Sequence, residues 1–365
     1  MSELLYRVAI TKISKVGAII SKSLISHCGS AEAVFKASKR ELMCVPNVGE
    51  AIANNIQNPS ILKWAESELA FIEKNNIQTL FYTDAAYPQR LKQIYDCPTI
   101  LYYKGTVDLN YGRVVSIVGT RKPTPYGTRL TEEMTEGLLK YNALIVSGLA
   151  FGVDITTHRK CLDLDIPTVG VMGNGLQRMY PAQHREAAQR MCQNGGLLTE
   201  YPSDQEPDRE HFPMRNRIIA GMADALIVVE TASQGGSMIT AYMALGYDKE
   251  VFAVPGRAGD KTSQGCNDLI KQNKAALIES ADDLAYFMRW DELDKNKNIQ
   301  TQLFTQLSDN EQVIVDILKK SENGALIDVL SYQSKLSHSA IAGLLLELEF
   351  KGMIRSLPGK RYVLN

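Results

Sequence analysis

The motif "SIVGTRKPTPYG" brings together groups that proteins use to bind phosphate. It ends an apolar run with Gly119, Thr120 and Arg121, just ahead of a helix that is predicted to begin near Tyr126. Free backbone N–H groups, a hydroxyl and a guanidinium can all donate hydrogen bonds to an anion at such a strand-to-helix turn. The spacing lacks the three glycines of a dinucleotide fingerprint and the Gly-Lys-Ser/Thr ending of a P-loop. The motif therefore predicts an anion site, but neither NAD nor ATP as a cofactor.

A second motif, "FPMRNRIIAG", adds two guanidinium groups. We predict that Arg215 and Arg217 begin a helix, where their positive charge opposes the helix dipole. An anionic ligand would compensate this cost, and so would a carboxylate such as Glu200 or Glu230. The ring of Phe212 or of Tyr180 is suited to stacking on a nucleobase, as single-strand binders commonly arrange, and either ring is equally suited to a place in the core.

Three further segments carry small residues where predicted strands end. "IVSGLAFGVDITTH" supplies Ser147 and Gly148, "GVMGNGLQRMYP" supplies Gly173, and "GGS" at Gly235 to Ser237 opens another predicted helix. Glycine lets a ligand approach the backbone closely, although a simple tight turn also explains it. Together with the two arginine motifs, these segments predict an anionic backbone held between guanidinium groups and glycine turns.

Asp154 and His158 are four residues apart and share one face of a predicted helix. This spacing is open to a catalytic or metal-binding interpretation, but no third ligand has suitable local spacing. We favour a helix cap with a packed histidine. Since no nucleophile and base, paired acids or metal set is apparent near the anion site, we predict no catalytic residue, metal or cofactor.

The elements that must position these groups form an alternating pattern. The six apolar runs "VVSIVG", "ALIVSG", "TVGVMG", "LLTE", "ALIVVE" and "EVFAVPG" alternate with amphipathic stretches, which is typical of a parallel α/β sheet. In an open sheet of this kind ligands bind at the carboxyl ends of the strands. The preceding "YTDAAYPQRLKQIYDCPTILYYKG" is predicted to be an arm that packs against the edge of the sheet.

The flanking regions have helical patterns. "ISKVGAIISKSL" and "VPNVGEAIANNI" repeat a glycine turn ahead of a helix, which predicts paired helical hairpins that contact either phosphate or protein. The C-terminal order of helix, short segment, helix and strand-like tail is that of a winged helix. Its second long helix offers Ser339, Glu347 and Glu349 instead of Arg or Asn, so we favour protein contact over base reading. The predicted domains are 1–65 (helix-hairpin-helix or SAM-like), 80–290 (Rossmann-like), a linker at 291–307, and a winged helix at 308–365.

Composition limits the class of protein. The 365 residues include 40 basic and 41 acidic side chains, which argues against a globally basic nucleic-acid binder but permits a local positive groove. Six scattered cysteines without a CxxC pair indicate neither a disulfide framework nor a zinc site. No apolar run reaches the roughly 18 residues of a membrane span, and the start lacks the pattern of a signal peptide, so we expect a cytoplasmic protein without a membrane partner.

The chain resembles the DprA (Smf) family of DNA processing proteins. The motifs "YPQRLKQIYDCPTILYYKG", "SIVGTRKPTPYG", "IVSGLAFGVDITTH", "FPMRNRIIAG", "GGSMITA" and "EVFAVPG" lie in the family's order, and the resemblance covers nearly the full chain. It implies a non-catalytic protein with an extended Rossmann-like domain that binds single-stranded DNA. It also implies that the protein protects incoming DNA and loads RecA recombinase during natural transformation, acting as a homodimer.

The resemblance carries phosphate contacts over to ten positions: Gly119, Thr120, Arg121, Arg215, Asn216, Arg217, Gly235, Gly236, Ser237 and Thr240. Many members have Ser-Gly-Ser where this chain has Gly235, Gly236 and Ser237, so one hydroxyl is lost while the backbone contact is retained. With the family in mind, we expect the segment "GCNDLIKQNKAALI" to form a self-association surface through Leu269, Ile270 and Leu277.

Two other functions compete with this interpretation. Nucleotide-cleaving hydrolases of the lysine-decarboxylase-like group use a related sheet with a PGGxGTxxE motif, but "SQGGSMITAYMA" lacks the second glycine-threonine and the glutamate. A sequence-specific transcription factor acting through the winged helix would bind a particular duplex tightly and single strands weakly.

Overall fold

The computed structural model describes residues 3–290, 307–319, 321, 324–351, 353–357 and 361–364. The chain divides into two compact units, with the boundary between Ala285 and Tyr286. The predicted linker at 291–307 lies outside the described residues except for Leu307.

The first unit begins with a small helical domain. Its α-helices are α1 (Glu3–Ala9), α2 (Ala18–Cys28), α3 (Ala31–Lys36), α4 (Lys39–Leu42), α5 (Glu50–Ile56) and α6 (Pro59–Lys74). The two repeated phrases adopt matching turns, since Lys15 and Asn47 have φ angles of 66° and 65°. Gly17 and Gly49 then cap α2 and α5 with nearly the same extended backbone. The repeat therefore encodes two similar helical hairpins.

A nine-stranded sheet forms the centre of the first unit, in the order β1-β2-β6-β5-β4-β3-β7-β8-β9. The strands are β1 (Gln78–Phe81), β2 (Ile100–Gly105), β3 (Val114–Val118), β4 (Leu144–Gly148), β5 (Thr168–Val171), β6 (Gly195–Thr199), β7 (Ala225–Val228), β8 (Glu250–Ala253) and β9 (Ala276–Leu277). All six predicted strands are present and pair in parallel, which confirms the predicted sheet. Every residue of β3 and β4 is buried, as expected where helices cover both faces.

Helices connect and cover these strands. They are α7 (Gln89–Lys92), α8 (Pro125–Gly137), α9 (Val153–Asp163), α10 (Arg185–Met191), α11 (His211–Met222), α12 (Gly236–Gly246), α13 (Gln264–Lys271) and α14 (Ala281–Phe287). Alternate strand residues such as Val118 and Val228 pack against α11 and α12 on one face, while α9 and α10 contact the strands from the other. From β3 the chain moves outward to β6 and then returns to β7 on the other side of β3. The switch point of the sheet therefore lies between β3 and β7, where ligands bind in folds of this type.

Two predictions of local structure were wrong. The predicted edge arm contains β2, which pairs antiparallel with both β1 and β6 and so extends the sheet. Moreover, α11 begins at His211, so Arg215 and Arg217 lie in its second turn and not at its start. The unfavourable helix-dipole effect expected of them is weak there, because it falls off within the first turn.

The helical domain packs on the β1–β2 edge of the sheet. Ile100 and Tyr102 of β2 and Phe81 of β1 belong to the same buried cluster as the helices α1 to α6. Side chains from this edge of the sheet thus form part of the helical domain's core, and the sheet and the helical domain share one continuous apolar interior.

The second unit has the predicted winged-helix order. Its elements are α15 (Asp309–Lys319), β10 (Ala325–Leu326), α16 (Ile327–Ser334), α17 (His338–Phe350), β11 (Ile354–Leu357) and β12 (Arg361–Leu364), and the strands form a sheet in the order β10-β12-β11. A separate apolar core centred on Ile314, Leu330 and Leu345 holds it together.

Candidate functional site

A groove of about 810 Å³ lies at the switch point of the sheet, between the segments that follow β3 and β7. We call it the switch-point groove. Of the predicted site residues, ten line it: Gly119, Thr120, Arg121, Phe212, Arg215, Asn216, Gly235, Gly236, Ser237 and Thr240. The fold therefore brings three predicted motifs that are far apart in sequence, "SIVGTRKPTPYG", "FPMRNRIIAG" and "GGS", to one concave surface.

The segment after β3 is fixed by Glu230, which follows β7. The backbone N–H of Thr120 donates to the carbonyl oxygen of Glu230 at 2.6 Å. The Glu230 carboxylate accepts hydrogen bonds from the backbone N–H and the hydroxyl of Thr124, at 2.9 and 3.0 Å. Since Glu230 is 2% exposed, these bonds are shielded from water and hold Arg121 at the rim of the groove. Glu230 is therefore engaged with Thr124 and not with the two arginines of α11.

Arg215 crosses the floor of the groove and is 5% exposed. Its Nη1 donates to the carbonyl oxygen of Val171. Burial lowers the pKa of Arg215 while the charge of Asp154 raises it, and a guanidinium starts from so high a pKa that it stays charged. Burial raises the pKa of Asp154, and the charge of Arg215 opposes that shift. The two side chains face each other across Gly148, where an added Cβ would lie 2.3 Å from Asp154 Oδ2 and 2.7 Å from Arg215 Nη1.

Two buried polar atoms of groove-lining residues lack a hydrogen-bond partner among the described residues. They are Nε of Arg215 and the hydroxyl Oγ of Ser237. Ser237 stands in the first turn of α12, whose N-cap residue Gly235 supplies no side-chain cap. Leaving such groups unpaired in a buried position costs free energy, so a ligand that accepts their hydrogen bonds is favoured.

An aromatic wall closes one side of the groove. The rings of Tyr180 and Phe212 lie 5.7 Å apart between centroids, and the Arg121 guanidinium carbon lies 5.9 Å from the Phe212 centroid. Tyr180 is 47% exposed, so its ring is open to a flat ligand. Both rings also border a smaller cavity of about 60 Å³, lined in addition by Gly173.

Four predicted site residues do not line the switch-point groove. Arg217 pairs with Glu200 and donates to the carbonyl oxygen of Asp96 at 2.9 Å, so it points away from Arg215. Ser147 is fully buried and donates to the carbonyl oxygen of Ile117 at 2.6 Å. Gly148 lies beneath Arg215, and Gly173 borders the smaller cavity. For Arg217, therefore, the charge is compensated by a carboxylate and not by an anionic ligand.

His158 belongs to the core and not to the groove. Its Nε2 is 2.7 Å from the carbonyl oxygen of Gly148, its Nδ1 is 2.8 Å from the hydroxyl of Thr168, and burial lowers its pKa to about 4. Asp154 accepts a hydrogen bond from the backbone N–H of Ala150 at 3.3 Å, just ahead of α9. The predicted packed histidine agrees with this geometry. The predicted cap does not, because Gly152 is the N-cap residue of α9 and Asp154, in the first turn, bonds to the preceding loop.

Arg209 lines the groove but was not among the residues predicted from the sequence. It lies exposed in the loop that leads into α11 and forms no ion pair with any described residue. Its surroundings, "SDQEPDRE", are acidic, which concealed it. Arg209 stands three residues before Phe212, in the loop that leads into α11. This closeness to a predicted site residue was the signal in the sequence that could have indicated it.

In the second unit, α17 exposes apolar side chains where a reading helix would carry polar ones. Leu346 is 54% exposed and Phe350 is 84% exposed. Ser339, Glu347 and Glu349 are also exposed. This face suits contact with protein better than contact with base edges.

Among the residues that the structure describes, no helix is both long and apolar enough to cross a membrane.

Comparison with known proteins agrees with this architecture. The profile of the DNA recombination-mediator protein A family matches residues 78–289, and that of the DprA winged helix domain matches residues 301–360. The DNA processing protein DprA of Bacillus subtilis (strain 168) is 41% identical over 217 residues, which are 59% of this chain and 73% of that protein.

Two solved structures are also similar. The X-ray structure of DNA processing protein A from Streptococcus pneumoniae gives a TM-score of 0.64 at 28% identity and covers 78% of this chain and 98% of that one. A structure of DNA processing protein A from Helicobacter pylori, which concerns its mode of binding single-stranded DNA, gives a TM-score of 0.54 at 31% identity, covering 59% of this chain and 96% of that one.

Fold and profiles together define a DNA processing protein with a Rossmann-like domain and a C-terminal winged helix. The chain belongs to the DprA family.

Proposed function

We propose that the chain binds single-stranded DNA in the switch-point groove. The observation that carries this proposal is the convergence of Arg121, Arg209 and Arg215 on one groove that contains a single carboxylate, Asp154. The excess positive charge favours a polyanion, and the groove-lining rings of Phe212 and Tyr180 suit unstacked bases, which a single strand presents and a duplex does not. The Helicobacter pylori relative, studied for its binding of single-stranded DNA, supports the same ligand class.

The phosphate contacts are proposed to come from two sides. Arg121 and Arg209 supply charge from the rim, while Ser237, in the first turn of α12, supplies its unpartnered hydroxyl. Arg215 carries positive charge beneath them. The rings of Phe212 and Tyr180 offer stacking surfaces for bases. The remaining proposed contacts are Gly119, Thr120, Asn216, Gly235, Gly236 and Thr240.

Titration of labelled poly-dT and of a duplex of equal length tests this proposal. We expect tight binding of the single strand and much weaker binding of the duplex. Arg121 and Arg209, each neutralising one phosphate, predict a slope of about −1.4 in log affinity against log salt, since each contributes roughly −0.7. Equal affinity for the duplex, or affinity independent of salt, would contradict the proposal.

We further propose that the groove binds without catalysing a reaction. Asp154 is buried against Arg215, and both oxygens of Glu230 are engaged with Thr124, so neither carboxylate is a free base. The hydrolase alternative requires such a base. Release of free base from nucleoside monophosphates by the pure protein would support that alternative instead.

Membership of the DprA family is the support for a role as recombination mediator. We propose that the protein protects incoming single-stranded DNA during natural transformation and loads RecA onto it, with the apolar face of α17 in the winged helix available for protein contact. The test is RecA filament assembly on poly-dT coated with single-strand-binding protein. The full chain should accelerate assembly, and the Arg121→Ala variant should not.

We propose that the protein forms a homodimer through the surface around Ile270 and Leu277. These side chains border a cavity of about 420 Å³ beside β9, the edge strand of the sheet. Leu277 is 45% exposed on this edge strand, and an uncovered apolar edge strand is a template for pairing with another chain. Leu269, expected from the sequence to belong to the same surface, is fully buried in the core of the first unit.

Leu277→Arg is therefore expected to convert the dimer to a monomer, because it places a charge in the proposed apolar interface. Light scattering measures the mass. Leu139→Arg is the matched control, since Leu139 is 49% exposed elsewhere on the first unit. If the wild type is dimeric and Leu277→Arg remains so, the interface is elsewhere. Leu269→Arg is no substitute, because a buried arginine is expected to unfold the core.

A further inference from the structure

The loop between β6 and α11, residues 200–210, forms one wall of the switch-point groove and is held from outside the sheet. We call it the β6–α11 loop. It carries Arg209 to the groove and leads directly into Phe212. Arg209 has no ion pair among the described residues, so no salt bridge from its own side chain keeps it at the groove. Its position therefore depends on what holds the backbone of the loop.

The strongest contact to the middle of this loop comes from Glu68 of α6, in the helical domain. Glu68 accepts hydrogen bonds from the backbone N–H of Ser203 at 2.8 Å and from its hydroxyl at 2.5 Å. Glu68 is 4% exposed, and burial raises the pKa of its carboxyl group. A buried carboxyl with both oxygens engaged by one residue fixes that residue in place, because breaking the contact leaves buried polar atoms unpaired.

A second contact reaches the next residue of the loop. Asp204 accepts a hydrogen bond from the indole Nε1 of Trp64 at 2.9 Å and pairs with Lys12 at 3.1 Å. The Lys12 ammonium lies 4.5 Å from the centroid of the Trp64 ring. Both Trp64 and Lys12 belong to the helical domain. The helical domain therefore binds two adjacent residues of the loop, Ser203 and Asp204.

On its other side the loop lies against the segment that follows β5. A Cβ added at Gly175 would lie 2.0 Å from the carbonyl oxygen of Pro202, so only glycine permits this approach. The backbone N–H of Gly175 donates to the carbonyl oxygen of Gln205 at 2.9 Å. The β6–α11 loop is therefore clamped between the helical domain and the β5 segment, directly before it turns toward the groove.

From these contacts we infer that the helical domain is a positioning element for DNA binding, with Glu68 as the positioning residue that holds Arg209 at the groove. The inference rests on the proposed binding of single-stranded DNA. Glu68 itself touches no ligand, and its effect passes through Ser203 and the loop. The helical domain thus contributes to affinity without any contact between its hairpins and DNA.

A double-mutant cycle on the full chain tests this inference with labelled poly-dT as the probe. We expect Glu68→Ala and Arg209→Ala each to weaken binding about tenfold. The double variant is expected to be no weaker than Arg209→Ala alone, since Glu68 acts through Arg209. The salt slope should become shallower by roughly 0.7 in both single variants, which a loss of general stability would not cause.

The control variants separate positioning from folding. Glu66→Ala removes an exposed carboxylate from the same helix and is expected to leave affinity unchanged. Glu68→Gln keeps one acceptor oxygen and is expected to restore affinity to within about threefold of the wild type. If Glu68→Ala does not fold, Asp204→Asn takes its place in the double-mutant cycle, because Asp204 is exposed to solvent. Asp204→Asn is expected to weaken DNA binding in the wild type but not in the Arg209→Ala variant.

The outcomes distinguish this inference from the proposed function. A wild type that does not bind poly-dT would refute the proposed function itself. A wild type that binds, with Arg209→Ala weaker and Glu68→Ala unchanged, would overturn the inference alone. Additive losses in the double variant would also overturn it, because Glu68 would then act independently of Arg209.

Discussion

Arg215→Ala is expected to lower the free energy of unfolding by about 3–5 kcal/mol, because it removes the main positive charge facing the buried carboxylate of Asp154, to which Arg121 contributes less. The same change removes the hydrogen bond to the carbonyl oxygen of Val171 and opens a gap beneath Gly148. Urea denaturation, followed by circular dichroism, measures the loss. Arg209→Ala is the matched control, since Arg209 is exposed and its removal should leave the free energy of unfolding almost unchanged.

The charge on Asp154 decides how much of this loss can be recovered. Adding Asp154→Asn to Arg215→Ala removes the uncompensated charge, so the double variant should be more stable than Arg215→Ala alone. If the double variant loses stability relative to the wild type by the sum of the two single losses, the two side chains are not coupled. An Arg215→Ala variant as stable as the wild type would show that the buried guanidinium is not needed for folding.

Arg121→Ala is expected to weaken binding of single-stranded DNA by about 10- to 150-fold, which corresponds to the roughly 1.5–3 kcal/mol of a charge-assisted hydrogen bond. Arg121 is exposed at the rim of the switch-point groove and forms no ion pair with a described residue, so its removal should leave the fold intact. Fluorescence anisotropy with labelled poly-dT measures the affinity.

Arg129→Ala is the control for Arg121→Ala. Arg129 lies exposed on α8 outside the groove, so losing its charge tests only the general attraction of the protein for DNA. A loss of less than twofold is expected there. If both variants bind equally well, with unchanged melting temperatures, the charge of Arg121 does not contact phosphate.

Local patterns predicted the centre of the fold but not its edge. The six parallel strands were identifiable because their buried apolar runs are continuous and end at turn residues. β2 was not identified, since its strand character depends on pairing between residues near 103 and 198, which are distant in sequence. The start of α11 was predicted too far along the chain, at Arg215, although Pro213 indicates that the first turn of the helix lies earlier. Proline is tolerated in the first turn of a helix, where its missing N–H would have no partner.

Contact between the predicted site residues and DNA stays a prediction. Their positions in the fold show which features of the site sequence patterns can resolve. The motifs after β3 and β7 meet at the groove because neighbouring parallel strands end at the same edge. Arg215 and Arg217 cannot both face it, since residues two apart on a helix are about 200° apart around its axis. Arg217 instead pairs with Glu200, one of the two carboxylates that the sequence offered as an alternative partner.

The sequence by itself determined the parallel sheet, the winged helix, the membership of the family and the motifs that supply anion-binding groups, because each depends on residue types at short spacing. Only the tertiary structure decided which of those groups share a surface. It buried Arg215 beside Asp154, brought the unpredicted Arg209 to the groove, and joined Glu68 to Ser203 across 135 positions of sequence. Contacts of this kind depend on how helices and loops pack, and no periodicity along the chain encodes them.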